Sequence, residues 1–232
     1  MNSPQSDHSQ YLESLFDTQP TADDLFEKAN QIKDSNPNQK ELHDFLELGH
    51  LTIVNKTISE ANKIDEWFDI IHELILDSKL TVGHLINQRA RYYGNKTGFQ
   101  EINGNKIRKF TYQDIWDQII QIGQALCSIK SVSDNNITIG IFAENSIRGA
   151  LIDLACLSFH ITIVPIPVTT TPDHLAFIIE NSSITQLFIG GTSVQTILRE
   201  SKVEQKLLDI YHLNDPAEAI IFAKPWEGFI SQ

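Results

Sequence analysis

The sequence predicts an α/β fold: a largely parallel, doubly wound sheet with flanking helices and a β-hairpin, preceded by a small all-α extension. Residues 137–167 have the pattern strand, helix, strand within about thirty residues, which is the length of a βαβ unit. Asn103-Gly104-Asn105 separates two strand-like segments. The charge of the chain also changes near Lys79. Together these patterns predict a parallel sheet, a hairpin and a separate N-terminal region.

The N-terminal third is acidic and predicted to be helical. Residues 1–79 hold 16 acidic and 6 basic residues, whereas the remainder holds 14 and 12. This change predicts a boundary near Lys79, with an acidic helical extension at 1–79 and an α/β region at 80–232. The net charge of −12 disfavours nucleic acid and anionic membranes as partners.

Apolar spacing predicts three helices in the extension. The first begins after the cap Thr21 and runs to about Lys33. The second is predicted to end at Gly49 in a left-handed conformation. The third runs from about Ser59 to Asp77. Its expected inward residues are Ile58, Ala61, Ile64, Phe68, Ile71 and Ile75.

The α/β region is predicted to open with a helix, a hairpin and a second helix. The first helix follows Thr81, with Val82, Leu85, Ile86 and Ala90 inward. The hairpin strands are Thr97 to Ile102 and Lys106 to Phe110. Thr111 and Asp114 favour the start of the long helix that follows. Its apolar stripe is Ile115, Ile119, Ile122 and Leu126.

The predicted βαβ unit begins with the alternating residues Ile137, Ile139 and Ile141, which favour a buried strand. Glu144-Asn145-Ser146 then supplies a turn and helix caps. The expected inward face of the helix is Ile147, Ala150, Leu151, Leu154, Ala155 and Phe159. A second buried strand is expected at 161–164, ended by Pro165 and Pro167. The two strands should be parallel.

The remaining elements continue the alternation of helices and strands. Thr171-Pro172 begins a helix that runs to about Glu180. The later elements are a strand at Gln186 to Ile189, a helix at Ser193 to about Lys202 and a strand at Leu207 to Leu213.

Other features of the chain bear on its compartment. No apolar run is long enough to span a membrane, and the N-terminus lacks the pattern of a signal peptide. Cys127 and Cys156 fall on predicted helix faces that carry other apolar residues. We therefore expect two buried thiols in a reducing compartment, namely the cytoplasm.

Several short motifs resemble one family in order and spacing. They are Phe110-Thr111-Tyr112-Gln113-Asp114-Ile115, similar to T-Y-x-E-L; Ile141-Phe142-Ala143-Glu144-Asn145-Ser146, similar to F-x-x-N-S; Val164-Pro165-Ile166, similar to V-P-I; Thr171-Pro172-Asp173-His174-Leu175; and Ile178-Ile179-Glu180-Asn181-Ser182. From about Leu80 to Leu213 the chain resembles the N-terminal subdomain of adenylate-forming acyl-CoA synthetases, closest to the long-chain fatty-acid type.

The resemblance implies ATP, Mg²⁺ and CoA as cofactors of the full-length family enzyme and a fatty acid as its substrate. His160 stands where the family usually has Gly, and Asn136-Ile137 stands where it has Gly-Asp. The family's Ser/Thr/Gly-rich phosphate loop, Tyr/Thr-Glu segment, ribose-binding Asp and catalytic Lys find no match. We therefore expect an incomplete enzyme that is inactive alone, in which this portion helps to wall the acyl pocket.

No residue of this chain is assigned a catalytic, cofactor-binding or metal-binding role. Gly190-Gly191-Thr192-Ser193 lies between a strand and a helix but lacks a P-loop pattern, so a plain turn is favoured. His160 and His174 lie near predicted strand ends, where a structural role is favoured over ligand binding. Leu76-Asp77-Ser78-Lys79-Leu80 only faintly resembles the Asp-Ser-Leu at which carrier proteins accept phosphopantetheine, because Lys79 interrupts it.

Two alternatives stay open. The chain could be a non-catalytic interaction module whose acidic helical region docks a partner. An independent nucleotide-binding protein is the least favoured, because no Gly fingerprint is present. Under any of these hypotheses residues 219–230 carry apolar residues with few charges, so we expect them to fold back onto the α/β region or to mediate self-association or binding of a protein partner.

Overall fold

The structure, a computed structural model, describes residues 19–35, 37–49, 51–132, 137–207, 209–213 and 223–231. Contacts divide the chain into two compact units, Met1–Thr81 and Val82–Gln232. We call them the helical unit and the α/β unit. Asn136 and residues 219–222, which carry expectations given above, lie outside the described residues.

The described part of the helical unit contains four helices. They are α1 (Ala22–Asp34), α2 (Gln39–Leu48), α3 (Thr52–Glu60) and α4 (Ile64–Ser78). The hydroxyl of Thr21 accepts from the backbone N–H of Asp24, and Asp24 accepts in return from the N–H of Thr21, so α1 begins with a capping box. Helix α4 packs against each of the other three helices, and the core of the unit forms around it.

The predicted third helix is wrong in its extent and in its buried face. It is interrupted at Ala61 and Asn62, where Asn62 has φ 56°, so that α3 and α4 are separate helices. Helix α4 buries Trp67, Ile70 and Leu74, whereas Phe68 is 64% exposed. The helix carries apolar residues on most of its circumference, so spacing alone did not fix its rotation. The predicted left-handed end of α2 is also wrong, because Gly49 has φ −58°.

The described part of the α/β unit contains six helices, a short 3₁₀ turn and seven strands. In chain order they are α5 (Val82–Tyr93), β1 (Thr97–Asn103), β2 (Lys106–Thr111), α6 (Tyr112–Val132), β3 (Thr138–Ala143), α7 (Ile147–Ser158), β4 (Thr162–Pro165), α8 (Pro172–Asn181), β5 (Gln186–Gly190), α9 (Thr192–Ser201), the 3₁₀ turn Val203–Gln205, β6 (Asp209–His212), β7 (Lys224–Pro225) and α10 (Trp226–Ile230).

A parallel sheet organises this unit. Its strand order is β4-β3-β5-β6-β7, and every neighbouring pair is parallel. Along β5, Phe188 packs in the cluster that includes residues of α6 and α7, whereas Leu187 and Ile189 pack in the cluster that includes residues of α8 and α9. Because side chains alternate across a strand, both faces of the sheet are covered. The predicted α/β class is confirmed.

The hairpin and the helix that follows it match their predictions closely. β1 and β2 pair antiparallel, with Asn103 opposite Lys106, and Gly104 has φ 59° in the turn between them. Asp114 Oδ2 accepts from the N–H of Thr111 at 2.8 Å and caps α6. The stripe predicted for α6 is buried, namely Ile115, Ile119, Ile122 and Leu126.

Three predicted faces in this unit need correction. β4 is an edge strand whose residues are exposed or half-buried, so it is not a buried strand. Helix α7 buries Leu151, Ile152, Ala155 and Cys156, while Ala150 is exposed. Val82 and Leu85 of α5 are exposed as well, and it is the buried Gly83 that lies close to Ser158 of α7.

The apolar tail folds back for the part that the structure describes. β7 pairs with β6, and Phe229 is fully buried against Phe188 and Tyr211, with ring centroids 4.9 and 5.2 Å away. The guanidinium of Arg148 lies over the ring of Trp226 and donates to the carbonyl of Leu213. Phe229, with Trp226 and Ile230 packed beside it, therefore forms part of the core of the α/β unit.

Candidate functional site

A cavity of about 720 Å³ lies at the carboxyl ends of β3 and β4. Open parallel sheets bind ligands outside the carboxyl ends of their strands. The lining residues come from the end of β3, the start of α7 and the segment after β4: Ile141, Ala143, Glu144, Asn145, Ser146, Gly149, Ala150, Asp153, Pro165, Ile166, Pro167, Val168 and Thr169.

Backbone hydrogen bonds and one cap hold the walls in place. Ser146 is the N-cap of α7, and its hydroxyl accepts from the N–H of Gly149 at 3.1 Å. The N–H of Ile166 donates to the carbonyl of Ile141 at 2.7 Å, which extends the ladder between β3 and β4 beyond Pro165. The turn at 144–146 and the Pro-rich segment 165–167 therefore form two sides of the cavity.

The neighbouring position in the sheet, between β3 and β5, is closed. This is where the strand order reverses, which is the usual ligand position in such sheets. Here the N–H of Glu144 donates to the carbonyl of Gly190, and the Ser193 hydroxyl donates to Glu144 Oε1 at 2.8 Å. Gly191 has φ 97°, and a Cβ at this position would lie 2.6 Å from Cδ of Glu144. The cavity therefore lies one strand away from this position, at the carboxyl ends of β3 and β4.

The charge of the cavity decides what it can hold. Most of its lining is apolar, and its two charged residues are the carboxylates Glu144 and Asp153. None of the described residues that line it is Lys, Arg or His. Phosphate groups need cationic or N–H donors, and Ser146 already caps the nearest helix N-terminus. The cavity does not fit the phosphates of ATP or CoA, and it suits an apolar group.

The two cysteines differ, which corrects the expectation for one of them. Cys156 is buried, and burial together with the nearby Asp153 carboxylate raises the pKa of its thiol to about 12. Cys127 is exposed on α6 and not buried as predicted. Neither thiol lies in the cavity lining.

The other sequence-based candidates lie away from the cavity. Gly190-Gly191-Thr192-Ser193 is the turn from β5 to α9, as favoured. His160 precedes β4 at the opposite end of that strand and adopts φ 55°, so this chain holds a left-handed His where the resembling family usually has Gly. His174 is exposed on α8 and stacks on Phe177. No group of three or more metal-ligating side chains is found in the described parts of the chain.

The faint likeness to a carrier protein is excluded by burial. Ser78 is fully buried, and its hydroxyl donates to the carbonyl of Ile75 and accepts from the N–H of Leu80. A prosthetic group needs a serine hydroxyl that an enzyme can reach, and this one is not accessible.

No helix among the described residues is long and apolar enough to cross a membrane.

Sequence reasoning missed the cavity. Its parts were all visible as separate signals, namely the turn at 144–146, the helix start at Ile147 and the Pro-x-Pro segment. No local pattern shows that β3 and β4 are neighbours or that a cavity lies at their carboxyl ends. The inference that parallel strands end at one edge of the sheet could have placed it.

Two curated relatives have similar sequences. The chain is 26% identical over 110 residues to long-chain-fatty-acid–CoA ligase 6 of Homo sapiens, a match that covers 47% of this chain and 16% of the relative. It is 30% identical over 97 residues to long-chain-fatty-acid–CoA ligase 1 of Cavia porcellus, covering 42% and 14%. The match thus spans about a sixth of the length of these relatives.

Solved structures share the fold. The crystal structure of coronafacic acid ligase from Pectobacterium brasiliense superposes with a TM-score of 0.54 at 16% identity, over 66% of this chain and 30% of that one. At this level of identity the likeness concerns architecture alone.

The family follows from the extent of one match. The family model described as AMP-binding enzyme matches residues 86–226, which is more than half of the chain and includes the cavity and both strands beside it. The motifs that carried the resemblance, from Phe110 to Ser182, fall inside this range. This chain therefore belongs to the family of AMP-binding enzymes.

Proposed function

We propose that this chain forms the N-terminal portion of an ATP-dependent fatty-acid–CoA ligase, and that the cavity at the carboxyl ends of β3 and β4 borders the acyl chain of the substrate. Such an enzyme joins ATP and a fatty acid into an acyl-adenylate and then transfers the acyl group to CoA. The residues described here would contribute an apolar surface, with nucleotide binding and chemistry carried by other parts of the enzyme.

The composition of the cavity lining carries this proposal. Ile141, Ile166 and Val168 supply apolar surface, which favours methylene groups by about 25 cal/mol for each Å² removed from water. Glu144 and Asp153 would repel the carboxylate of a fatty acid. The acyl chain can therefore contact this cavity only with its carboxylate directed away from these two residues.

The two similar curated proteins support the choice of substrate. Both are named long-chain-fatty-acid–CoA ligases. The family match covers residues 86–226 and so lies outside the acidic region. It therefore supports the ligase hypothesis and gives no support to an interaction module centred on residues 1–79.

Two measurements on the 232-residue chain test the proposal. The first incubates the chain with ATP, Mg²⁺ and palmitate and measures palmitoyl-adenylate. We expect none, and its formation would show that this portion suffices for chemistry. The second titrates the chain with a fluorescent long-chain fatty acid and displaces it with palmitate.

A variant pair links binding to the cavity. Ala150→Phe adds a ring to the lining and should weaken fatty-acid binding about tenfold, a change of about 1.4 kcal/mol. Leu157→Phe is the matched control, since it lies exposed on the same helix outside the lining. Binding that is undetectable in the wild type, or equal in both variants, contradicts the assignment of the acyl chain to this cavity.

A further inference from the structure

The hairpin of β1 and β2 ends in an exposed pair of isoleucines. Ile102 is 70% exposed and Ile107 is 60% exposed, and the two lie directly opposite each other in the strand register. No heavy atom of the described chain outside the immediate neighbours lies within 4 Å of the position that a Cβ on Gly104 would take. The turn at Gly104 is therefore not packed against the rest of the described unit.

The alternation of side chains gives this end an outer face. Phe110 is buried, so Arg108, two residues before it, shares the inner face, and its guanidinium lies 4.6 Å from the Phe110 ring centroid. Ile107 and Lys109 then point to the opposite face, together with their register partners Ile102 and Gln100. Ile102, Ile107 and Lys109 therefore share an exposed face, whereas Lys106, two residues before Arg108, lies on the other face next to the turn, where it is also exposed.

The same segment is basic, in contrast to the chain as a whole. Residues 106–109 read Lys-Ile-Arg-Lys, and all four are exposed. Glu101 lies opposite Arg108 and offsets its charge. Lys106 and Lys109 have no ion-pair partner among the described residues. We call residues 102–109 the basic tip.

We propose that the basic tip is a docking surface for a lipid bilayer that contains anionic phospholipid. The two isoleucines enter the boundary between headgroups and acyl chains, while Lys106 and Lys109 bind the anionic headgroups. Lysine suits this place, because its apolar stem can lie along the boundary while its ammonium stays in the headgroup layer. The inference does not depend on the proposed ligase function.

Charge complementarity selects this partner over others. A protein partner with an apolar groove would explain the isoleucines but not the cations beside them. A nucleic acid would explain the cations but leave two isoleucines in water. An anionic bilayer satisfies both, since amphipathic surface elements bind through apolar burial and electrostatic attraction together.

The net charge of −12 disfavours an anionic membrane for the chain as a whole, but it acts weakly on this local attraction. A strand rises about 3.3 Å per residue, so Lys106 and Lys109 lie roughly 10 Å apart along β2. The Debye length in physiological salt is about 8 Å, so a lipid headgroup at the tip responds mainly to the charges nearest to it. The α/β region as a whole is also close to neutral, with 14 acidic and 12 basic residues after Lys79.

Vesicle co-sedimentation of the full chain tests the proposal. The probes are vesicles of phosphatidylcholine alone and of phosphatidylcholine with 30 mol% phosphatidylserine, each at 50 and 300 mM NaCl. We expect at least tenfold higher partitioning onto the phosphatidylserine vesicles at low salt, and most of this difference should disappear at high salt. Soluble phosphoserine and duplex DNA serve as competitors, and neither should displace the protein at equal phosphate concentration.

Two variants with matched controls assign the binding to the tip. The variant Ile102→Thr/Ile107→Thr keeps β-branched side chains and should lower partitioning at least fivefold. The variant Lys106→Glu/Lys109→Glu should remove the dependence on phosphatidylserine. The controls are Phe177→Thr, a residue with 60% exposure on α8, and Lys40→Glu/Lys56→Glu in the helical unit, which makes the same change in net charge. Both controls should bind as the wild type does.

The contradicting outcomes are equally definite. Equal partitioning onto the two kinds of vesicle, or unchanged partitioning of either tip variant with unchanged melting temperature, overturns the proposal. Loss of binding in the controls assigns it to the whole surface and overturns it too. Displacement by duplex DNA identifies a nucleic-acid surface instead. A variant that melts earlier is replaced by Ile107→Thr or Lys109→Glu alone, for which partitioning must still fall.

Discussion

The helical unit and the α/β unit bury their apolar side chains in different ways. The helical unit has one core, in which α4 packs against α1, α2 and α3. The α/β unit has one core on each side of its sheet, and neighbouring residues of β5 belong to different cores. A strand sends alternate side chains to opposite faces, so its pattern fixes the packing, whereas a helix can present several faces. The comparison teaches that the sequence determines which side chains face each core more strongly in a central strand than in a helix of the bundle.

Surface charges do not explain the difference between the units. Lys63 and Asp23 form an ion pair across helices in the helical unit, and Lys206 and Glu180 form one in the α/β unit. These side chains are largely exposed, and such pairs contribute roughly 0–1 kcal/mol each. Each unit is therefore stabilised mainly by its apolar core, and core substitutions are the strongest way to test the comparison.

The largest expected effect is from Phe229→Ala in the α/β unit. Phe229 is fully buried among Phe188, Tyr211 and Trp226, so its loss leaves a large cavity. We expect the free energy of unfolding of this unit to fall by about 3–5 kcal/mol. Hydrogen exchange of the slowest amides in β5 and β6 measures it. The exposed Phe177→Ala should change it by less than about 0.5 kcal/mol, and equal effects would contradict the burial of the tail.

The next effect is from Leu74→Ala in the C-terminal half of α4. Leu74 is fully buried, so we expect a loss of about 3 kcal/mol in the free energy of unfolding of the helical unit. Exchange should rise in residues 22–78 and stay unchanged in β3 and β5. The control is Leu76→Ala, two residues further along the same helix and 65% exposed. If Leu76→Ala is as costly as Leu74→Ala, α4 is rotated from the packing described here.

A smaller effect compares two capping boxes of the same chemistry, one in each unit. Thr21 pairs with Asp24 at the start of α1, and Thr111 pairs with Asp114 at the start of α6. Removing either hydroxyl by substitution with Ala should cost about 1 kcal/mol in its own unit. Urea denaturation of Thr21→Ala and Thr111→Ala, followed by hydrogen exchange, measures both. A cost confined to one of them would show that the other helix start is held by packing instead.

The smallest effect is the acid dependence of the same two boxes. The side-chain hydrogen bond from Thr21 lowers the pKa of Asp24, and the backbone hydrogen bond from Thr111 lowers the pKa of Asp114. A carboxyl with a lower pKa in the folded state stabilises it above its unfolded pKa, near 4, and this stability is lost as the pH falls through the folded pKa. The urea midpoint between pH 6 and 3 should therefore fall less steeply in Asp24→Asn and Asp114→Asn than in the wild type. Identical slopes would contradict the hydrogen bonds.

Much of the α/β unit could be predicted, because several local signals agreed at each element. Element boundaries are marked by residues that cap a helix or allow a left-handed turn. Examples are Thr111 with Asp114, Gly104, and Thr171 before Pro172. The rotation of α4 could not be predicted, since Phe68 and Trp67 are both large aromatic residues and only tertiary packing decides which of them is buried. The edge position of β4 also escaped, because strand order is not encoded in any one strand.

The candidate site was predicted least well, for a related reason. Only their residue type and their place near strand ends suggest His160 and His174 as ligand-binding candidates, and the structure places neither of them in the cavity. The cavity is built from Ala150, Ile166 and Pro167, whose chemistry is unremarkable in isolation. Its position depends on the Glu144–Ser193 hydrogen bond that closes the adjacent gap, a contact between residues 49 positions apart in the sequence.

The edge position of β4 also sets the mechanical character of the cavity. Among the described strands β4 is hydrogen-bonded to a neighbour on one side only, whereas β3, the strand with which it pairs, is hydrogen-bonded on both sides. We therefore expect the wall that follows β4 to yield more easily than the wall that follows β3. An occupant of larger girth can be accommodated by bending β4 outward against a single ladder, without straining the centre of the sheet. The width of the cavity would therefore be set mainly by the position of the edge strand β4.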